Sequence, residues 1–146
     1  MPDLRWTRDD QRHLTLQFLG PVPDPDPVAE FVADSVRGRE PFTLSLGGGG
    51  AFPSARRGSV LWLGVARGRA ELTALAESLV SLSDDDRRYQ PHVTLARATR
   101  SRDLRAAVGA LDACGESDPW TVDEVVLFES DRSLHTEVAR FRLAGC

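Results

Sequence analysis

A chain of 146 residues with 41% hydrophobic content is long enough for one compact domain with a real core and too short for two ordinary independent ones. Its formal net charge of −4 excludes a protein that coats duplex nucleic acid through a broad basic face, so any nucleic-acid partner must be contacted locally. The sequence contains no lysine: all 18 basic residues are arginines, which excludes lysyl-nucleotide ligases, Schiff-base enzymes and Walker-type phosphate loops, each of which needs an amine at its centre.

No apolar run reaches the length of a membrane span, and MPDLRWTRDD has neither a basic n-region nor an apolar h-region. Cys114 and Cys146 lack metal-ligand spacing and stand where a bridge would gain little. A soluble protein of the reducing cytoplasm, a single domain over 1–146 with room for two intimately packed lobes, is the expectation.

In chain order, HLTLQFLG (13–20) alternates as a strand does, with His13, Thr15 and Gln17 on one face and Leu14, Leu16 and Phe18 on the other. PVPDPDP supplies a turn. Asp26 followed by Pro27 reads as the cap and first position of a helix over 27–37, with Val28, Phe31, Val32 and Val36 as its apolar stripe and Gly38 as its stop. FTLSL (42–46) alternates again. The glycine-rich GGGGAFPSARRG then reads as a loop, and SVLWLGV (59–65) as a strand buried on both faces, with Trp62 in the core.

A helix over 69–82 rests on Leu72, Leu75, Ala76 and Leu79, and a polar loop, SDDDRRYQ, follows. PHVTLAR (91–97) repeats the strand pattern. Ser101 reads as the cap of a third helix, buried through Leu104, Ala107, Val108 and Leu111. Strands at 120–129 and 137–143 close the chain as a hairpin turning near Asp131 and Ser133. These elements form an imperfect repeat of strand, helix, histidine strand, helix and strand, whose first copy starts abruptly at its histidine strand.

Two of the three histidines open the same tetrapeptide, His-x-Thr-Leu, at 13–16 and 92–95. Residues i and i+2 of a strand project to one side, so each motif presents an imidazole and a hydroxyl together. If the two strands face each other across a groove, the set suits phosphodiester cleavage without metal. One neutral imidazole takes a proton from attacking water, and the other, as imidazolium, donates to the leaving ribose oxygen. Thr15 and Thr94 can hold the nonbridging oxygens, and an arginine adds the cation they lack. Arg97 is nearest, although ideal alternation sends it to the face opposite His92 unless the strand twists or ends.

HLTLQFLG and PHVTLAR, together with GAFPSARRGSVLWLGV (50–65) and VARFRLAG (138–145), resemble the two-histidine phosphoesterase superfamily, and within it the RNA 2′,3′-cyclic phosphodiesterases once called 2′-5′ RNA ligase-like. The resemblance covers nearly the whole chain. It implies an α/β (α+β), two-lobed, pseudo-twofold fold with antiparallel-rich sheets around a central cleft and helices outside. It further implies His13 as proton donor, His92 as acceptor, Thr15, Thr94 and Arg97 on phosphate, and a terminal 2′-phosphate as product. Members of that family carry a further N-terminal strand and helix, which agrees with the truncated first repeat.

Other features have plainer readings. His135 lacks the motif and lies in a polar turn, and the Asp84, Asp85 and Asp86 run reads as a solvated turn because consecutive carboxylates converge poorly on one ion. Arg56 and Arg57, near Phe52, either contact a nucleotide at the rim of the site or solubilise a loop. Neither histidine motif has a second His, Cys or carboxylate at zinc spacing, so no metal and no cofactor is expected. The expected partners are RNA ends with a 2′,3′-cyclic phosphate or small cyclic nucleotides, with no membrane partner. A nucleotide-binding module without turnover and a 2′-5′ RNA ligase running the reverse reaction are the alternatives. An exposed sheet edge offers a place for self-association.

Overall fold

The computed structural model describes residues 4–79, 89–131 and 134–145. Its elements are β1 (Leu4–Trp6), a 3-10 turn (Asp9–Gln11), α1 (Pro25–Val36), β2 (Arg37–Gly38), β3 (Phe42–Pro53), β4 (Gly58–Arg67), α2 (Arg69–Ser78), β5 (His92–Arg102), α3 (Arg105–Ala113), β6 (Trp120–Val122), β7 (Glu124–Asp131), β8 (Leu134–Arg142) and β9 (Ala144–Gly145). The result is the mixed α/β chain with antiparallel strand pairing that the alternating patterns imply.

The described residues fall into two compact units. The first lies within Met1–Thr15, Leu44–Arg69 and Gln90–Pro119, and the second within Leu16–Thr43, Ala70–Tyr89 and Trp120–Cys146. Each has its own core.

In the first unit, strands run in the order β1-β5-β4-β3, all antiparallel. Leu4, Leu61, Ala96 and Leu104 are buried together, with Ala51, Ala98, Ala107, Val108 and Leu111 against them. Leu61 and Leu104 are sealed almost completely, and burying such a side chain is worth about 1.5–3 kcal/mol. The stripe expected for α3 is thus the face it lays on the sheet. The helix starts later than expected, however: β5 continues through Ser101 to Arg102, and Asp103 accepts the Arg105 backbone N–H at 3.0 Å where Ser101 was expected to cap.

Gly47–Gly50 do not form a loop; they lie inside β3. Their smallness serves close approach. A Cβ on Gly49 would stand 2.7 Å from Leu111 Cβ and 2.9 Å from the Val108 carbonyl of α3, and the Gly49 N–H donates to Asp112 Oδ1 at 2.7 Å. A Cβ on Gly50 would collide with the Trp62 indole. SVLWLGV is not buried on both faces either: Leu61 and Val65 face the core, while Val60, Trp62 and Leu63 stay partly exposed.

The second unit is held by α1, α2 and the β7–β8 hairpin. Val32 and Val36 of α1 meet Leu75, Leu79, Val125 and Leu143, with Leu16, Val28, Phe42, Val122 and Phe141 around them. Phe31 and Phe18, both expected on apolar faces, are instead exposed at 36% and 58%. Helix α1 begins at Pro25, two residues early, because the Asp24 carboxylate accepts the Asp26 N–H at 3.1 Å and so supplies the cap. Gly38, at φ 78°, closes the turn after it. The expected single strand 120–129 is interrupted at Asp123, whose carbonyl accepts the Leu143 N–H at 2.8 Å. The aspartate run 84–86 and the tip of the hairpin at 132–133 lie outside the described residues.

Candidate active site

Both His-x-Thr pairs belong to the first unit, and the backbone brings them side by side. HLTLQFLG does not form a strand; it makes one antiparallel bridge, Leu14 to Val93 on β5. That single bridge is sufficient for orientation. Directly opposed residues share a face, so Leu14 and buried Val93 turn to one side. Their neighbours turn to the other, and His13 falls beside Thr94 and Thr15 beside His92.

Arg97 joins them through an irregularity. On β5, Trp62 is opposite Thr94 and Leu61 is opposite Ala96, so Leu95 is an extra residue without a partner on β4. Such a bulge shifts the alternation by one. Ala96 therefore enters the core with Leu61, and Arg97, opposite Val60, returns to the face of Trp62, Thr94 and His92. The parity that ideal alternation denies Arg97 is thus restored. The side chain is exposed on that face.

Each imidazole is anchored alike. His13 Nδ1 lies 2.8 Å from the Gln11 carbonyl oxygen, and His92 Nδ1 lies 2.7 Å from that of Gln90. A carbonyl only accepts, so in both rings Nδ1 carries the hydrogen and Nε2 is the nitrogen that exchanges protons. The shared Gln-x-His-x-Thr-Leu spacing places the accepting carbonyl two residues before each histidine.

His92 also has an aromatic wall. Its ring meets Phe52 edge-on at 4.9 Å between centroids and Trp62 at 5.7 Å, and Phe52 and Trp62 lie 5.2 Å apart. Trp62, expected in the core, belongs to this polar face; its Nε1 is buried without a hydrogen-bond partner. Trp62 alternates with core Leu61 and stands opposite Gly50, a placement that only the strand register reveals. Arg56 and Arg57 lie in the exposed β3–β4 turn, with Arg56 near enough to Asp103 to affect its charge. His135 belongs to the second unit, where its Nδ1 lies 2.7 Å from Ser130 Oγ on the β7–β8 hairpin.

A cavity of about 550 Å³ opens in the second unit, lined by residues that include Arg39, Glu40, Phe42, Glu71 and Leu143. It holds no histidine. The paired motifs lie in the first unit, on the β5 face that carries His92 and Thr94.

A family model, the 2′-5′ RNA ligase superfamily, matches residues 5–134. The chain belongs to that superfamily. Among its curated relatives, the RNA 2′,3′-cyclic phosphodiesterase of Aeropyrum pernix is 34% identical over 129 residues, covering 82% of this chain and 72% of the relative. That of Methanothermobacter thermautotrophicus is 32% identical over 154 residues, covering 96% and 83%. Among solved structures, Escherichia coli LigT complexed with 3′-AMP superposes with a TM-score of 0.71 at 26% identity, covering 97% of this chain and 82% of that one. This 2′-5′ RNA ligase superfamily member therefore shares the mixed α/β fold of its solved relatives. Among its described residues, no helix is long and apolar enough to cross a membrane.

Proposed function

We propose that the chain hydrolyses 2′,3′-cyclic phosphates on RNA ends or nucleotides to 2′-phosphomonoesters, without a metal ion. The observation that carries this reading is the Leu14–Val93 bridge, which sets two imidazoles and two threonine hydroxyls on one face. Water attacks phosphorus as His92 Nε2 accepts its proton; the P–O3′ bond breaks, and His13 Nε2–H protonates the departing 3′ oxygen. Arg97, Thr15 and Thr94 hold the nonbridging oxygens as charge builds on them. Phe52 offers a ring on which a base can stack, with Arg56 and Arg57 as more distant nucleotide contacts. Curated relatives bearing the phosphodiesterase name, and a related structure holding 3′-AMP, support the substrate class.

The test is an assay with chelator-treated protein on a panel of 2′,3′-cyclic nucleotides, identifying the product by chromatography. A 2′-phosphate formed at undiminished rate is expected. Inhibition by chelator, or a 3′-phosphate product, overturns the mechanism. Tight binding of a 2′-phosphonucleotide with no turnover would point instead to a non-catalytic binding module.

A further inference from the structure

β1 runs antiparallel to β5 with Arg5 directly opposite Arg97. The register places Arg5 on the same face as Arg97 and therefore, through the Leu95 bulge, on the face of His92 and Thr94. Directly opposed Cβ atoms stand about 5 Å apart, and like charges so placed are unfavourable unless an anion lies between or across them. Both side chains are exposed, and among the described residues neither forms an ion pair. Carboxylates are not scarce nearby. In the same unit Arg8 pairs with Asp10, Arg12 with Asp9, Arg67 with Glu116 and Arg105 with Asp103. A chain of net charge −4 thus leaves two adjacent guanidiniums uncompensated beside its histidines.

The flank on which Arg5 lies indicates what it holds. β5 has two edges: β4 occupies one, and both β1 and the Leu14 bridge occupy the other. Arg5 and His13 are therefore on the same side of β5. In the proposed reaction, on which this inference rests, His13 protonates the ribose oxygen, so the ribose lies on that side and water on the other. What continues beyond the ribose is the 5′ part of the strand. Arg5 stands one strand across from Arg97 on that ribose side, about 5 Å between Cβ atoms, so its extended side chain reaches past the phosphate that Arg97 holds.

We infer that Arg5 is a second phosphate contact, for the phosphodiester preceding the cyclic end, and that the substrate class is a polynucleotide terminus in preference to a mononucleotide. Arginine suits this task because its planar fork can hold two phosphate oxygens at once.

The experiment compares kcat/KM for adenosine 2′,3′-cyclic phosphate and for a diadenylate ending in a 2′,3′-cyclic phosphate, in the wild-type chain and in Arg5→Ala, Arg5→Lys and Arg8→Ala. The wild-type chain is expected to favour the dinucleotide, and Arg5→Ala to reduce that preference about tenfold through KM. The salt dependence of the dinucleotide reaction should flatten by roughly 0.7 in log–log slope, one phosphate contact's worth on a single strand. Arg5→Lys should restore part of the preference, whereas Arg8→Ala, whose guanidinium is already paired with Asp10, should leave it intact. Equal losses on both substrates, or an unaltered ratio in Arg5→Ala, would overturn the assignment. A wild-type chain inactive on both would remove the hydrolysis reading itself, and this inference with it.

Discussion

The two histidine segments carry the same six-residue spacing, Gln-x-His-x-Thr-Leu, yet they are built on different supports. His92 opens an eleven-residue strand, β5, flanked on one edge by β4 and backed by Phe52 and Trp62. His13 sits in a segment held to β5 by one bridge, after a short 3-10 turn. In both, the imidazole makes the same Nδ1 hydrogen bond to the carbonyl two residues back. Local chain geometry therefore sets the ring's tautomer wherever the motif occurs, whereas the rigidity of the ring's platform depends on its neighbours.

The largest expected effect tests whether the two segments act as one machine. His13→Ala and His92→Ala should each lower kcat/KM by about 10²–10⁴-fold, the range of a positioned acid or base, and the double variant should lose little more than either. Multiplying losses in the double variant would mean that the segments work independently. The wild-type pH–rate profile should be bell-shaped, with one limb removed by each substitution; a profile unchanged in both variants would contradict the paired roles.

Next in size is a change aimed at the His92 platform alone. Gly50→Ala forces a methyl into the Trp62 indole, which in turn packs on His92. Overpacking of this kind costs about 1–3 kcal/mol, read as a lowered denaturant midpoint, and the displaced indole should lower turnover as well. Full stability and full activity in this variant would show the aromatic wall to be incidental. Gly48, where a Cβ meets nothing within 4 Å, is a poorer control than it looks because its φ is +84° and a side chain there is strained regardless.

The difference in support is sharpened by hydrogen exchange. Amides of 13–16 should exchange faster than those of 92–96, since one bridge opens more readily than a strand paired along its length. Comparable protection would mean that the His13 segment is held as firmly as β5.

The smallest effect lies just beyond the far end of the His92 strand. The Arg105 side chain, and then its backbone N–H, hold the Asp103 carboxyl down at about 2 from an ordinary 3.8. A depressed acid stabilises the folded state above its unfolded pKa, and that contribution disappears as pH falls from about 4 through about 2. Arg105→Gln should return the Asp103 titration, followed by NMR, toward its ordinary position without altering catalysis. An unmoved titration would contradict the assigned cause.

Much of the local structure was legible in the chain. The apolar stripes of α2 and α3, that of α1 apart from exposed Phe31, and the alternation of β5 up to the Leu95 bulge follow from helical and strand periods, which neighbouring residues determine among themselves. The misreadings share one cause. Gly47–Gly50 read as a loop because glycine breaks isolated strands, yet here the missing side chains make room for α3 and for an indole. Trp62 read as core because large aromatics are usually buried, and the side of β4 on which it would lie could not be known without its partners.

By itself the sequence determined the candidate groups: two repeated motifs, each able to orient an imidazole through its own backbone, and a set of cations made wholly of arginine. Only the tertiary structure decided that Leu14 meets Val93, that Leu95 bulges so that Arg97 turns back to the histidines, and that Arg5 stands beside it. Alternation is a property of one strand and can be read residue by residue. Register and bulges belong to pairs of strands distant in the chain, and they are set by which side chains the shared core accepts.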